Sequence, residues 1–257
     1  MRPTGMEIPL IRKKVFSKFA KHLPTPRGNQ KIAQIVIISC VIWVVKHGRY
    51  WSDIPPTYGN HDSIRRRFLR WSKSGSFRAA FHSLARKLGK GNIAAIDSTF
   101  AKAHRTACSL KSDGEARQIG LTKGGRNTKI HMIANIEQKP IDFCLSPGNM
   151  SDCKAGEKLI EKNVHHLKKL LADKAYDTNG IRQTLHSRKV EACIPAKSNR
   201  KMKISHDESL YKKRSGIEIM FGRIKDWRGI ATRYCRCAHT FDSFVCVALI
   251  MLFFCVR

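Results

Sequence analysis

Short apolar runs bounded by turn residues recur between residues 93 and 195, and their order constrains the fold more than any other feature. Ile93-Ala-Ala-Ile reads as a short buried strand whose end presents Asp97. Gly120-Leu-Thr-Lys-Gly-Gly-Arg-Asn reads as a hairpin turn into a strand at Thr128–Asn135, and Gln138-Lys-Pro turns into another at Ile141–Ser146. From there strands alternate with helices. Pro147-Gly-Asn-Met-Ser-Asp opens a helix over Cys153–Lys162, with Ser151 or Asp152 as its cap. His166–Ala172 is the next strand, with Asp173 at its end; Ile181–Ser187 is a helix capped by Asp177 or Thr178; Val190–Pro195 is a further strand. A basic loop, Lys197–Lys203, leads to a helix at Tyr211–Trp227, and an apolar helix, Ser243–Val256, closes the core. Three strands in succession and then helix, strand, helix, strand, helix predict the α/β class, as an α+β mixed sheet flanked by helices.

Residues 1–90 read as mostly helical and strongly basic. Gln30–Lys46 is an apolar, buried helix ended by a turn-rich loop from Lys46-His-Gly to Gly59. Asp62 or Ser63 can cap Ile64–Ser72, which exposes Arg65, Arg66, Arg67 and Arg70 and tucks Phe68, Leu69 and Trp71 inward. Ser74-Gly-Ser separates it from an amphipathic helix, Phe77–Leu88. Two short helices around a glycine turn match a helix-turn-helix, and equally any basic helical bundle. The 257-residue chain carries a net charge of +30. Residues 1–90 hold 19 Lys+Arg against 3 Asp+Glu, a net of +16, which leaves +14 for the longer remainder. Charge on that scale points to a polyanion, with nucleic acid ahead of a membrane surface. The expected boundary falls at Gly89–Asn92, between a basic helical DNA-binding domain at residues 1–90 and a sheet domain at residues 91–257.

The nine cysteines are scattered and contain no Cys-x-x-Cys pair, and Cys235-Arg-Cys237 does not match a zinc ribbon. They read as reduced thiols of a cytosolic protein. Ile35–Val45 and Phe244–Val256 fall far short of the ~20 residues that span a bilayer, so no membrane partner is expected. Met1–Met6 leads into no apolar h-region, so no secretory leader is expected either.

The Tyr211–Trp227 stretch carries the chemistry. At about 100° per residue, Tyr211, Arg214, Glu218 and Lys225 share one sector of a helix roughly 60° wide, while Ile217, Met220, Phe221, Ile224 and Trp227 face the core. One acid among bases is also the pattern of a solvated face laced with ion pairs. Asp97 and Asp173, each ending an apolar run, change the weight of that alternative. Neighbouring strands of a mixed sheet bring such side chains together, and a set of hard carboxylate oxygens suits Mg²⁺. Two such ions stabilise the attacking and leaving oxygens of an in-line phosphoryl displacement.

Three separated motifs resemble one family. Ile96-Asp97-Ser98-Thr99, Ala172-Asp173-Lys174-Ala175-Tyr176-Asp177 and Tyr211-x-x-Arg214-x-x-x-Glu218-x-x-x-x-x-x-Lys225 resemble the Asp-Asp-Glu transposases of bacterial insertion sequences, families four and five, with five the better match. Gly124–His131, Trp51–Gly59 and Arg67–Trp71 resemble further regions of that family, so the likeness covers about residues 45–255. It implies that residues 91–257 form an RNase H-like catalytic domain with helices on both faces of the sheet. Asp97, Asp173 and Glu218 would be the catalytic acids and the ligands of two Mg²⁺ ions, with Mn²⁺ able to substitute. Lys225 and Arg214 would hold phosphate near the cut, and Tyr211 would position the helix or the DNA backbone. Arg65, Arg66 and Arg70 would contact DNA from the N-terminal domain. The implied activity is binding of terminal inverted repeats, hydrolysis of the element's ends and joining of the freed 3′-hydroxyls to target DNA. It would act as a homodimer or larger assembly on DNA, in the cytoplasm at the bacterial nucleoid. An inert DNA-binding regulator and a stand-alone RNase H-like nuclease are the alternatives. His61-Asp62, where relatives often carry Trp or Lys, bears on end recognition rather than chemistry.

Overall fold

The computed structural model describes residues 7–25, 28, 30–89, 91–109, 117–201 and 204–255. Met1–Met6, the end of the basic loop at Met202 and Lys203, and Val256 therefore lie outside the described residues. Among those described, helices of more than one turn are α1 (Lys13–Ala20), α2 (Gln34–His47), α3 (His61–Lys73), α4 (Ser76–Leu88), α5 (Asp152–Asn163), α6 (Asn179–Ser187), α7 (Ser215–Lys225) and α8 (Ala238–Leu249). The sheet includes β1 (Ile93–Ala103), β2 (Gly120–Thr122), β3 (Gly125–Asn135), β4 (Pro140–Pro147), β5 (Lys169–Leu171) and β6 (Glu191–Cys193). Contacts gather into two compact units. One takes the described residues of Met1–Leu84, His104–Leu110 and Ile224–Arg257, and the other those of Ala85–Ala103 and Lys111–Arg223.

In the sheet unit, β1 and β3 pair antiparallel from Ala94↔Asn135 to Lys102↔Asn127, and β4 adds antiparallel to β3. β5 then pairs with β1 in parallel, and β6 in parallel with β5, giving the mixed order β4-β3-β1-β5-β6, with β2 as a hairpin arm on β3. This is the RNase H-like architecture that the resemblance implies. Side chains alternate across the pleat, so Ala94, Ile96, Leu170 and Ala172 join Leu159 and Ile160 of α5 and Ile181 and Leu185 of α6 in one core. Ala95, Met132, Leu171 and Cys193 point the opposite way and are buried too, so both faces are covered. α5 lies close to the segment after β5: a Cβ at Gly156 would stand 2.4 Å from the Tyr176 ring, which only glycine avoids.

Several local expectations change here because long-range partners compete for the same groups. β1 continues to Ala103 since β3 keeps pairing with it, so Asp97 lies inside a strand rather than at its end. β5 is shorter than expected, with His166 in a tight turn, Val164–His166, before it. Ser151 occupies the N-cap of α5 without a side-chain cap bond, and Asp152 turns instead to Ser98 Oγ at 2.7 Å and Lys129 Nζ at 3.0 Å. Thr178, not Asp177, caps α6, its Oγ1 accepting the Ile181 N–H at 3.3 Å.

In the helical unit, α2 buries Ile37–Val45 and stops at Gly48, whose φ of 62° is the left-handed conformation that glycine adopts freely at helix C-termini. α3 is capped by Asn60 Oδ1, which accepts the Ser63 N–H at 3.0 Å, rather than by Asp62 or Ser63. It buries Phe68 and Trp71 and exposes Arg65, Arg66 and Arg70, while Arg67 and Leu69 are half-buried and Arg67 hydrogen-bonds Gln30. α8 was expected to close the core of the sheet domain. It packs instead with the N-terminal helices: Phe244 stacks on Phe68 at 5.3 Å, Ser243 Oγ donates to Ser72 Oγ at 2.9 Å, and Asp242 pairs with Arg78. The physical reason is that α8 is apolar nearly all round, so its pattern names no particular partner. Among the described residues no helix is long and apolar enough to cross a membrane.

Candidate active site

Strand register sets the two aspartates together. In the parallel pairing, Ala95 of β1 stands opposite Leu171 of β5. Two residues on from each are Asp97 and Asp173, on the face away from α5 and α6 because side chains alternate. β5 ends at Leu171, and Asp173 begins the tight turn Lys174–Tyr176, its Oδ1 accepting the Ala175 N–H at 2.9 Å. Freed of a β5 neighbour at this level, Asp97 faces α7.

The stretch expected as one helix over Tyr211–Trp227 is divided. A helical turn, Glu208–Tyr211, is followed by a tighter turn at Lys212–Arg214, then by α7, which ends at Lys225; Trp227 precedes a separate turn, Arg228–Ala231. The tighter winding accompanies the reach of Arg214 away from its helix. Arg214 Nη1 donates to Asp97 Oδ2 at 2.7 Å, and its Nη2 donates to Glu218 Oε1 one turn along. The guanidinium also sits 5.7 Å over the Tyr211 ring, which His206 meets edge-on at 5.2 Å. Ile217, Met220, Phe221, Ile224 and Trp227 are buried as the periodicity requires.

The electrostatics follow from this packing. Burial raises the Asp97 carboxyl above its ordinary pKa; the Ser98 N–H, at 2.7 Å, and Arg214 draw it back, and Asp173 pushes it up again. Burial works against the Arg214 charge, but Asp97 and Glu218 hold its pKa above the usual arginine value. Asp97 thus feels the charge of Asp173 and shares the Arg214 guanidinium with Glu218. Hard carboxylate oxygens fit a divalent ion in kind, and the cationic group that Asp97 and Glu218 hold between them is the Arg214 guanidinium. Among the described residues no group of three His, Cys, Asp or Glu is placed to hold a metal ion.

Lys225 is exposed at the C-terminal end of α7, and Arg65, Arg66 and Arg70 are exposed on α3. The structure adds groups that sequence reasoning passed over. Tyr176 is 1 % exposed, its hydroxyl has no hydrogen-bond partner, and burial with Asp152, Asp97 and Asp173 nearby raises its pKa well above that of a free phenol. Ser98, Lys129 and Asp152 form a linked polar set, with His131 next to it: Nζ of Lys129 also donates to the Met150 carbonyl at 2.8 Å, and His131 Nε2 meets Ser146 Oγ at 2.8 Å. The available signal was polar residues alternating with apolar ones in β3, read only as strand.

Three family models and one curated relative point to transposases. A family model described as "Transposase DDE domain" matches residues 88–209, and a second model of that description matches residues 170–254. A model of the IS4/5 transposase family (DUF4096) matches residues 11–81. A Brucella ovis protein, carrying the name of a transposase for insertion sequence element IS6501, is 32% identical over 128 residues, which is 49% of this chain and 96% of that protein. An uncharacterized Sinorhizobium fredii protein, y4sN, is 28% identical over 101 residues, covering 39% of this chain and 70% of that one. Among solved structures, the piggyBac transposase synaptic complex with hairpin DNA is similar at a TM-score of 0.48 and 9% identity, over 95% of this chain and 73% of that one.

Proposed function

From the premise that this chain belongs to the DDE transposases of insertion sequences, we propose that it cuts DNA at the ends of its element and joins the freed 3′-hydroxyls to target DNA. Asp97, Asp173 and Glu218 are the catalytic acids in this reading. The observation that carries it is the shared guanidinium of Arg214, which hydrogen-bonds Asp97 of β1 and Glu218 of α7 at once. Acids distant in the chain are drawn to one cationic point.

Asp97, Asp173 and Glu218 would hold two Mg²⁺ ions, or Mn²⁺ in their stead. When bound, such a pair supplies charge neutralisation to the attacking and leaving oxygens of the phosphodiester. The chain's own residues do the rest. Tyr211 supports the Arg214 guanidinium from beneath, and Arg214, released from the carboxylates, offers its planar fork to a phosphate. Lys225 adds a point charge for the backbone. Arg65, Arg66 and Arg70 bind the terminal repeat through its phosphates, and a homodimer or larger assembly would hold two ends together.

Glu218→Gln separates chemistry from binding, because it keeps the size of the side chain and removes only its charge. Nicking of labelled end DNA in Mg²⁺ should fall by orders of magnitude, while gel-shift affinity in Ca²⁺ stays within a few-fold. Near-normal nicking by this variant would remove Glu218 from the site.

A further inference from the structure

The transposase reading makes no use of the basic loop after β6, and we propose that this loop forms a second DNA contact: a groove that grips backbone phosphates and is latched in place by Asp177. The proposal rests on the transposase reading for its partner and on different residues for its argument.

Asp177 is the latch. Its side chain is 0% exposed. Its Oδ1 accepts Arg182 Nε at 2.6 Å, and its Oδ2 accepts Arg200 Nε and the Lys197 N–H, each at 2.8 Å. Arg182 also donates to the Ile194 carbonyl at 2.8 Å, and Arg200 to Asn179 Oδ1 at 3.1 Å. One buried carboxylate therefore ties the start of α6, the chain just after β6 and the loop to a single point. Burial alone would raise its pKa; Arg200, the Lys197 N–H and Arg182 outweigh that and hold it at about 2.

In front of this post lies an open groove of about 540 Å³, lined by Thr178, Asn179, Lys197, Asn199, Arg200 and Lys201, with Asp177 and Ile204 completing it. Asp177 is the one acid among these lining residues, and both of its oxygens are already engaged. The ammonium groups of Lys197 and Lys201 have no acid partner among the described residues. Among the described residues no aromatic ring lines the groove, so it offers no stacking surface for bases; amides, a hydroxyl and cations suit phosphate. Its position is apt. Asp177 follows Asp173 by four residues, at the carboxyl ends of parallel strands β5 and β6, where open α/β sheets receive ligands.

The latch gives a test with opposite signs. Asp177→Asn makes the protein more positive, so a diffuse basic surface predicts equal or tighter DNA binding. The latched groove predicts weaker binding to a short linear duplex, by roughly tenfold near 0.1 M salt, with a shallower salt dependence. Lys197→Gln with Lys201→Gln leaves the buried post untouched and should lower the slope of log affinity against log salt by about 1.8, some 0.9 per phosphate. Thermal melting checks that each variant is folded. Affinity and slope unchanged in the double variant overturn the groove, and equal or tighter binding by Asp177→Asn overturns the latch. If the double variant loses inorganic phosphate binding while DNA affinity holds, the site takes small anions and the DNA proposal fails. Mg²⁺-dependent nicking by wild type is measured alongside. Its absence, with DNA affinity still lost in the variants, counts against the transposase chemistry alone.

Discussion

Arg214 holds two carboxylates with one cation, the half-buried Asp97 and the exposed Glu218. A divalent ion drawn to the same oxygens competes with it, because two like charges cannot share that space cheaply. Arg214→Gln is therefore expected to tighten Mn²⁺ binding by the DNA-free protein roughly tenfold, about 1.4 kcal/mol. Titration calorimetry reads this directly. An affinity no better than wild type would mean that the guanidinium does not occupy the metal's place. At this scale the sequence was legible in part. The i,i+4 spacing of Arg214 and Glu218 pairs them on any helix. The partner that matters most for Arg214, Asp97, is 117 residues away, and no local pattern joins them.

β3 carries a histidine into the interior of the sheet. His131 is 0% exposed, and its Nδ1 has no hydrogen-bond partner. Burial lowers its pKa from 6.5 to about 4, with Asp152 opposing the shift and Lys129 assisting it. The sign follows from linkage. Between about pH 6.5 and 4 the unfolded chain binds a proton that the folded chain refuses. The stability due to neutral His131 is therefore complete above the unfolded pKa and lost as pH falls through the folded one. A shift of this size is worth on the order of 3 kcal/mol. Replacing His131 by Gln should flatten the pH dependence of the urea midpoint across that window, and a persisting slope would assign the titration elsewhere. The elements themselves followed the apolar periodicity closely, as in Ser76–Leu88 and in the buried side of α7. Their limits did not. β1 outran its expected end because β3 kept supplying backbone partners, and Asn60 rather than Asp62 or Ser63 capped α3 because cap geometry depends on where the chain enters.

For the whole molecule the dominant quantity is charge. Of the net +30, residues 1–90 carry +16, and Arg65, Arg66 and Arg70 stand exposed on one helix. Replacing these three by Ala should reduce the slope of log affinity against log salt for end DNA by about 2.7 and leave melting nearly unchanged, since each side chain lies in solvent. Gel shifts across a salt series decide it. A slope equal to wild type would move the gripping surface off α3. Charge, the order of strands and helices, and the acids and bases available for chemistry were all determined by the sequence alone, because composition and short-range periodicity belong to the chain before it folds. Only the tertiary structure decided that α8 packs with the N-terminal helices, that register sets Asp173 beside Asp97, and that Asp177 anchors a loop instead of capping a helix. Each of these turns on which distant group reaches a buried polar atom or apolar face first, and that competition is settled by three-dimensional packing rather than by spacing along the chain.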